Sequence, residues 1–459
     1  MTKRLRAVLL SLIFLSGFVG LSFELLVMRQ LSFYVGSSAI ISGIIIGAYL
    51  GFLSLGYFKG ASGKRPAPGA RNSISLSFIL IALMLTLAAS FATVNAFFQV
   101  MQDLGLRSII WQTFLYSLLF LSATPFLLGR NTARLAAYLQ KHSAGSAGKI
   151  MALDTIGSVI GSLAATLLLM PLVGVNHTIM LVVGAALASS ILIRPRVLSF
   201  ALAAPVMAFA VMINADSLLR SEFGIIVNNE NSTILIENYG PIKVLNMNGL
   251  NMSNHNRTTG KSAEYVNWIN DNFIYNSKGA APREILVLGA GGFTIGLKDK
   301  YNTYTFVDIE RTLKKVSEES FLGENLTPNK TFVIRDAGQF LKAADKKYDL
   351  IVLDVYTHSY RVPEDFITEE FMQRIKDRVA EGGIIVMNVI QSPNFADKYS
   401  QVFDNTFHRV FPYNTQRQVV GRFDAWSGED RNVMYVYYNR PNDGRVYTIN
   451  RIPIIYDRK

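Results

Sequence analysis

The chain has 459 residues, half of them hydrophobic, with no cysteine and a formal charge of +12 at pH 7. The lack of cysteine excludes disulfides, thiolate metal sites and a cysteine nucleophile. Residues 1–213 hold 15 Lys and Arg against only Glu24, Asp103 and Asp154, while the remainder balances 30 basic with 30 acidic residues. A second half without a net positive field excludes nucleic acid as a partner. The high pI is that of basic loops flanking membrane helices.

In chain order, hydrophobic runs stand at roughly 7–28, 38–58, 74–98, 108–128, 150–171, 177–193 and 197–213. Most reach the ~20 residues that cross a ~30 Å hydrocarbon layer. The first run follows Lys3, Arg4 and Arg6 but is long and lacks a small-x-small cleavage site, so it reads as a retained helix. Residues 1–213 are therefore expected to form a bundle of about seven spans in the cell (inner) membrane, with the lipid bilayer as partner. Basic residues cluster in alternate loops: 59–73 holds Lys59, Lys64, Arg65 and Arg71, 129–149 holds Arg130, Arg134, Lys141 and Lys149, and the 194–196 turn adds two more. That alternation places the N-terminus in the cytoplasm. Seven crossings would carry the following domain to the trans side, unless one weak run does not span; its side stays open.

Gly43, Gly47 and Gly51 recur every four residues, as do Gly157 and Gly161, a spacing that predicts close helix packing. Glu24 lies inside the first run, and pairing with Arg29 or with a basic residue of another helix is the expected arrangement. Asp154 is read as a first-turn acid favoured by the helix dipole.

Beyond Asn214 the pattern changes. Short strands at 224–227, 232–236 and 242–245, with turns at 238–241 and Asn248-Gly249, predict a small β-hairpin subdomain over 220–280. From 284, strands at 284–288, 305–308, 331–334, 349–353 and 384–387 alternate with helical patterns, notably 366–380. This predicts an α/β doubly wound, Rossmann-like domain over 281–459.

Ligands in such sheets bind at the carboxyl ends of the strands. The first strand there ends in Gly289, Gly291 and Gly292, a turn that admits a ligand close to the backbone. The second ends at Asp308, about twenty residues on, the spacing of an acid that accepts ribose hydroxyls. The third leads into Asp336 and the fourth ends at Asp354. The ordered set points to an adenosine-type ligand, against the alternative of ordinary turn and cap residues. No metal site is expected.

With these residues in view, the chain resembles the spermidine synthase family, on the sheet shared by S-adenosylmethionine-dependent methyltransferases. The likeness covers roughly 225–440 and is carried by Ile285–Gly292, Phe306–Glu310, 336–341, 348–354 and 366–371. Residues 16–29 and 152–161 resemble the membrane-fused branch of that family. The resemblance implies that decarboxylated S-adenosylmethionine, or a related nucleoside, is a co-substrate rather than a resident cofactor, and that a polyamine is the acceptor. Asp308 would then hold the ribose, Asp336 the adenine amine, and Asp354 would be the general base. Glu264, Tyr265 and Thr357 fall at the family's amine-binding positions.

The chain also departs from the family. The glycine turn lacks its aspartate, Thr357 replaces the second acid of the catalytic loop, and Ser232 or Thr233 stands where a glutamine is expected. His358 is read as a loop residue. Three readings follow: a membrane-bound aminopropyltransferase, another S-adenosylmethionine-dependent transferase, or a catalytically silent ligand- or partner-binding domain. The soluble enzymes form dimers or tetramers, which leaves a homo-oligomer or a membrane-protein partner open here.

Overall fold

The computed structural model describes residues 2–61, 70–140, 147–277, 281–357, 360–421 and 429–442. His358, Lys64, Arg65 and Lys141 lie outside them. The chain divides into two compact units, Met1–Leu235 with Met247–Gly249, and Ile236–Asn246 with Leu250–Lys459.

The first unit is helical: α1 (Lys3–Val35), α2 (Ala39–Ala61), α3 (Ala70–Ala89), α4 (Phe91–Asp103), α5 (Ile109–Tyr116), α6 (Ala123–Gln140), α7 (Ala147–Leu163), α8 (Met170–Ile193), α9 (Val197–Ile213) and α10 (Asp216–Phe223). Among the described residues, four helical stretches are long and apolar enough to cross a membrane, or six if each of two bent pairs is one span. The longest stretch, Gly148–Ile193, contains Gly174 at φ 82°, where the helix breaks.

Glycines set the packing. A side chain at Gly157 would run into the Phe14 carbonyl, and one at Gly161 into that of Phe18, so α7 lies along α1 in the same direction. Gly56 faces Phe126 and Gly60 faces Ala133, so α6 runs with α2. Gly43, Gly47 and Gly51 behave otherwise: nothing lies within 4 Å of a Cβ at any of them. Their four-residue spacing is genuine, but that face of α2 points away from the bundle, and the helix packs through Gly56 and Gly60 instead.

The expected run at 74–98 is divided at Ser90 into α3 and α4. Asp154 lies seven residues into α7, beyond the first turn where a dipole effect acts. Arg29 does not meet Glu24: its guanidinium donates to the Asn229 carbonyl (2.8 Å) and to Thr233 Oγ1 (3.0 Å).

The two parts of α8 and its approach run in opposite senses. α7 rises with α1. After Gly174, Asn176 shares Asn228 with Gln30, far along α1 (3.0 and 3.2 Å). Ser190, near the other end of α8, meets Ser75 at 2.8 Å, close to Ser77 and Ser73, which take hydrogen bonds from Arg130 and Arg134 late in α6. The chain thus leaves the bundle, through α9, at the end opposite Lys3.

Strands β1 (Ile225–Asn228), β2 (Thr233–Tyr239), β3 (Ile242–Met247) and β4 (Leu250–Asn256) form a four-stranded sheet in sequential order. Asn248 at φ 53° and Gly249 at φ 80° make the β3–β4 turn, as the Asn-Gly pair requires.

The second unit holds α11 (Glu264–Ile269), β5 (Glu284–Leu288), β6 (Thr303–Asp308), α12 (Leu313–Val316), β7 (Lys330–Ile334), α13 (Ala337–Ala343), β8 (Tyr348–Leu353), α14 (Glu369–Arg378), β9 (Val379–Gln391), α15 (Lys398–Val410), β10 (Thr415–Val419) and β11 (Arg431–Tyr438). The seven strands order as β10-β11-β9-β8-β5-β6-β7. β6, β5, β8 and β9 pair in parallel, as does β7 with β6, while β10 and β11 add antiparallel. Strand order reverses between β5 and β8, the switch point where such sheets open a crevice. The predicted helix 366–380 is shorter, because Val379 already begins β9, which continues through Gly382 and Gly383 to Gln391.

Candidate functional site

The switch point is built from backbone first. The Gly289 N–H donates to the Val307 carbonyl (2.9 Å) and the Asp354 N–H to that of Leu288 (2.8 Å), so the ends of β5, β6 and β8 are tied together. Gly289 has φ 92°, and a Cβ there would strike the Asp354 carbonyl. Gly292 is pressed between Phe321 and Ser253, whose Oγ accepts its N–H at 2.8 Å. Phe293, at φ 58°, turns its ring into the core against Phe306 and Phe332 (centroids 4.9 and 5.4 Å apart). It therefore does not fill the crevice.

A cavity of about 290 Å³ opens at this edge, and Asp354 stands in its wall with Glu264, Tyr265, Gly291, Tyr356, Asn388 and Asn432. Tyr265 donates its hydroxyl to Asp354 Oδ2 and Asn388 Nδ2 donates to Oδ1, both at 2.9 Å. Tyr356 Oη lies within reach of Asp354 and donates to the Asn388 carbonyl at 2.9 Å. Burial pushes the Asp354 carboxyl above its ordinary value, and the donors from Asn388, Tyr265 and Tyr356 pull it part of the way back. Burial also raises Tyr265 and Tyr356, with the Asp354 charge adding to the effect, so both stay protonated donors.

Two further acceptors face this space. Asn388 Oδ1 and Asn432 Oδ1 are buried and accept no hydrogen bond among the described residues. Among the described residues no Lys or Arg stands in the cavity wall. A buried carbonyl oxygen without a donor carries a desolvation penalty of about 1–3 kcal/mol, which a bound N–H would relieve. The wall is thus shaped electrostatically for a donor, neutral or cationic.

Of the residues singled out by sequence, Glu264, Tyr265, Gly291 and Asp354 meet in one wall. Asp308 lies further along the same edge, accepting N–H groups from Ala290 and Glu310 on its two oxygens, each at 3.0 Å. Burial raises its carboxyl and these backbone donors oppose the shift. Each oxygen keeps lone-pair capacity for a further donor. Asp336 caps α13 by accepting from the Gln339 N–H (2.9 Å). Thr357 is turned to its own loop, where its hydroxyl and N–H both donate to the Arg361 carbonyl (3.0 and 2.7 Å). Sequence reasoning missed Tyr356, Asn388 and Asn432. Asn388 left a signal, a fully buried amide within the apolar run Ile384–Ile390.

Residues 274–421 match the family model described as the spermine/spermidine synthase domain. The polyamine aminopropyltransferase of Vibrio vulnificus is 25% identical over 161 residues, covering 34% of this chain and 52% of that protein. The polyamine aminopropyltransferase of Sulfurisphaera tokodaii is 30% identical over 160 residues, covering 31% and 52%. The chain thus spans about half the length of these relatives. Among solved structures, a probable spermidine synthase from Corynebacterium glutamicum is similar at a TM-score of 0.40 and 21% identity, over 48% of this chain and 80% of that one. Residues 274–421 carry a spermine/spermidine synthase domain, placed in one chain with a region of long apolar helices.

Proposed function

We propose that this domain transfers an aminopropyl group from decarboxylated S-adenosylmethionine to an amine, with Asp354 as general base. One observation carries the reading: a cavity wall in which a carboxylate, held by two donors at 2.9 Å, stands among unpaired acceptors with no cationic side chain among the described residues. An ammonium has no lone pair, so a base must keep the acceptor amine neutral. The lone pair then attacks the carbon beside the sulfonium. The C–S bond breaks, methylthioadenosine leaves, and the amine's proton passes to Asp354. A carboxyl raised by burial suits that task better than an exposed one.

Size divides the ligand. A cavity of about 290 Å³ lies at the small end of the ~300–1,000 Å³ range of ligand pockets. It suits the amine and the propyl arm, with Glu264 at the rim drawing the far ammonium. The ribose would lie toward Asp308, the adenine toward Asp336, and Gly289, Gly291 and Gly292 would leave room for the sulfonium arm.

The test uses purified full-length protein with decarboxylated S-adenosylmethionine and short diamines, following methylthioadenosine release. Asp354→Asn should keep binding by calorimetry and lower turnover at least about 100-fold. Asp308→Ala should weaken nucleoside binding about tenfold or more. Normal turnover by Asp354→Asn removes the base assignment.

A second reading has its own support. The chain leaves the bundle opposite Lys3, and the basic loops put Lys3 in the cytoplasm. The domain would then face away from cytosolic co-substrate and would bind an amine without transferring to it. Diamine binding without methylthioadenosine release distinguishes this reading from the first.

A further inference from the structure

Among the described residues, the membrane unit holds one buried carboxylate for which the fold supplies no partner. Glu24 sits in the middle of α1 and is 5% exposed. Among the described residues it makes no hydrogen bond and no ion pair. Its surroundings are nonetheless polar. Gly20, one turn before it, leaves room for the Tyr49 hydroxyl, 2.5 Å from where a Cβ would stand. Tyr49 in turn lies within electrostatic reach of Glu24, Tyr57 and Asp154.

A second observation points to the same place. Leu128 of α6 also reaches Gly20. Since α6 runs with α2, and so against α1, Thr124 stands level with Glu24. Its Oγ1 is buried and unpaired, as is Gln30 Nε2 further along α1. An orphaned hydroxyl level with a buried carboxylate in an apolar bundle marks a place where a small polar species is accommodated.

Among the described residues no basic side chain of the bundle pairs with Glu24, although Arg130 Nε, on α6, is buried without a partner. Arg29 is held by Asn229 and Thr233, Arg130 and Arg134 reach Ser77 and Ser73, Tyr116 donates to the Ala88 carbonyl, Tyr34 to Asn95, and His177 faces Asp216. Lys3, Arg4 and Arg6 lie at the start of α1, Lys59 at the end of α2, Arg71 at the start of α3 and Lys149 at the start of α7. An ionised Glu24 would therefore be an uncompensated charge at membrane depth.

We propose that Glu24 is an intramembrane proton-binding site, approached along Asp154, Tyr57 and Tyr49. The geometry gives the approach. Gly17 packs on the Asp154 carbonyl, and Glu24 lies seven residues further along α1, about 10 Å at ~1.5 Å per residue. Tyr57 donates to Asp154 Oδ2 at 3.2 Å. Tyr49, eight residues earlier on α2, spans a matching ~12 Å toward Glu24. Asp154 is partly exposed and is the entry. Uptake adds one proton to the Glu24 carboxylate and releases none, so the bundle's charge rises by one.

The test uses the full chain in lipid nanodiscs and a lipid-soluble carbodiimide, which modifies protonated carboxyls in apolar surroundings. Glu24 should be labelled, with a rate that falls as pH is raised across the range in which the protein stays folded. Glu24→Gln should abolish the labelling and Asp103→Asn, an exposed carboxylate at the end of α4 and off the proposed path, should retain it. Labelling at one rate across that range would mean a permanently neutral structural acid, and protection by sodium ions would mean a metal-cation site; either overturns the proposal. Infrared spectra provide an independent measure: a protonated-carboxyl band should titrate over the same range and vanish in Glu24→Gln. Absence of that band in the parent chain overturns the proposal whatever the labelling shows.

Discussion

Asp354 shows how neighbours tune a side chain in two directions. Burial pushes its carboxyl up, and Asn388, Tyr265 and Tyr356 pull it down. In its proposed role as base it would work only when ionised, so turnover should fall on the acid side of its titration. Tyr265→Phe removes one donor to the ionised form. The acid limb of the rate profile should therefore move to higher pH, with about tenfold lower turnover, the worth of one buried hydrogen bond of about 1–1.5 kcal/mol. An unmoved limb would mean that another group titrates there. At this scale the sequence was half legible. Asp308, Asp336 and Asp354 each end or follow a strand, and strand ends can be read from apolar runs and turns. The cavity wall draws on residues from 250 to 432, and nothing in the local pattern announces that Asn388 and Asp354 touch.

Among the elements, two glycine series with the same spacing have opposite fates. Gly157 and Gly161 seat the backbone of α1, while Gly43, Gly47 and Gly51 seat nothing in this chain. Gly157→Leu should lower the thermal midpoint of the lipid-reconstituted protein sharply, since overpacking against backbone exceeds the usual ~1–3 kcal/mol of a forced core insertion. Gly47→Leu should stay within about 0.5 kcal/mol of the parent chain. Equal effects would contradict the packing described. Spacing reveals a small face but not whether a neighbour occupies it, which explains the mistaken expectation for α2. The parallel strands β5 to β9 were plain, because strands buried on both faces read as continuous apolar runs. β10 was not, because Thr415–Val419 is polar and half-exposed.

For the molecule as a whole, direction matters more than count. Gly148–Ile193 would be about 69 Å long if straight, more than twice the ~30 Å hydrocarbon layer. Gly174 instead folds it back on itself, and the opposed contacts of Asn176 and Ser190 follow. A C-terminal alkaline phosphatase fusion active outside the cytoplasm, with a cytoplasmic reporter silent at the same point, would favour the amine-binding reading over transfer. The reverse result would place the domain with the cytosolic metabolite pool. On either outcome one positive-φ glycine would act as an address label: it would help to set the compartment whose solutes can reach Asp354, and a substitution there would misdeliver a domain whose own chemistry it never touches.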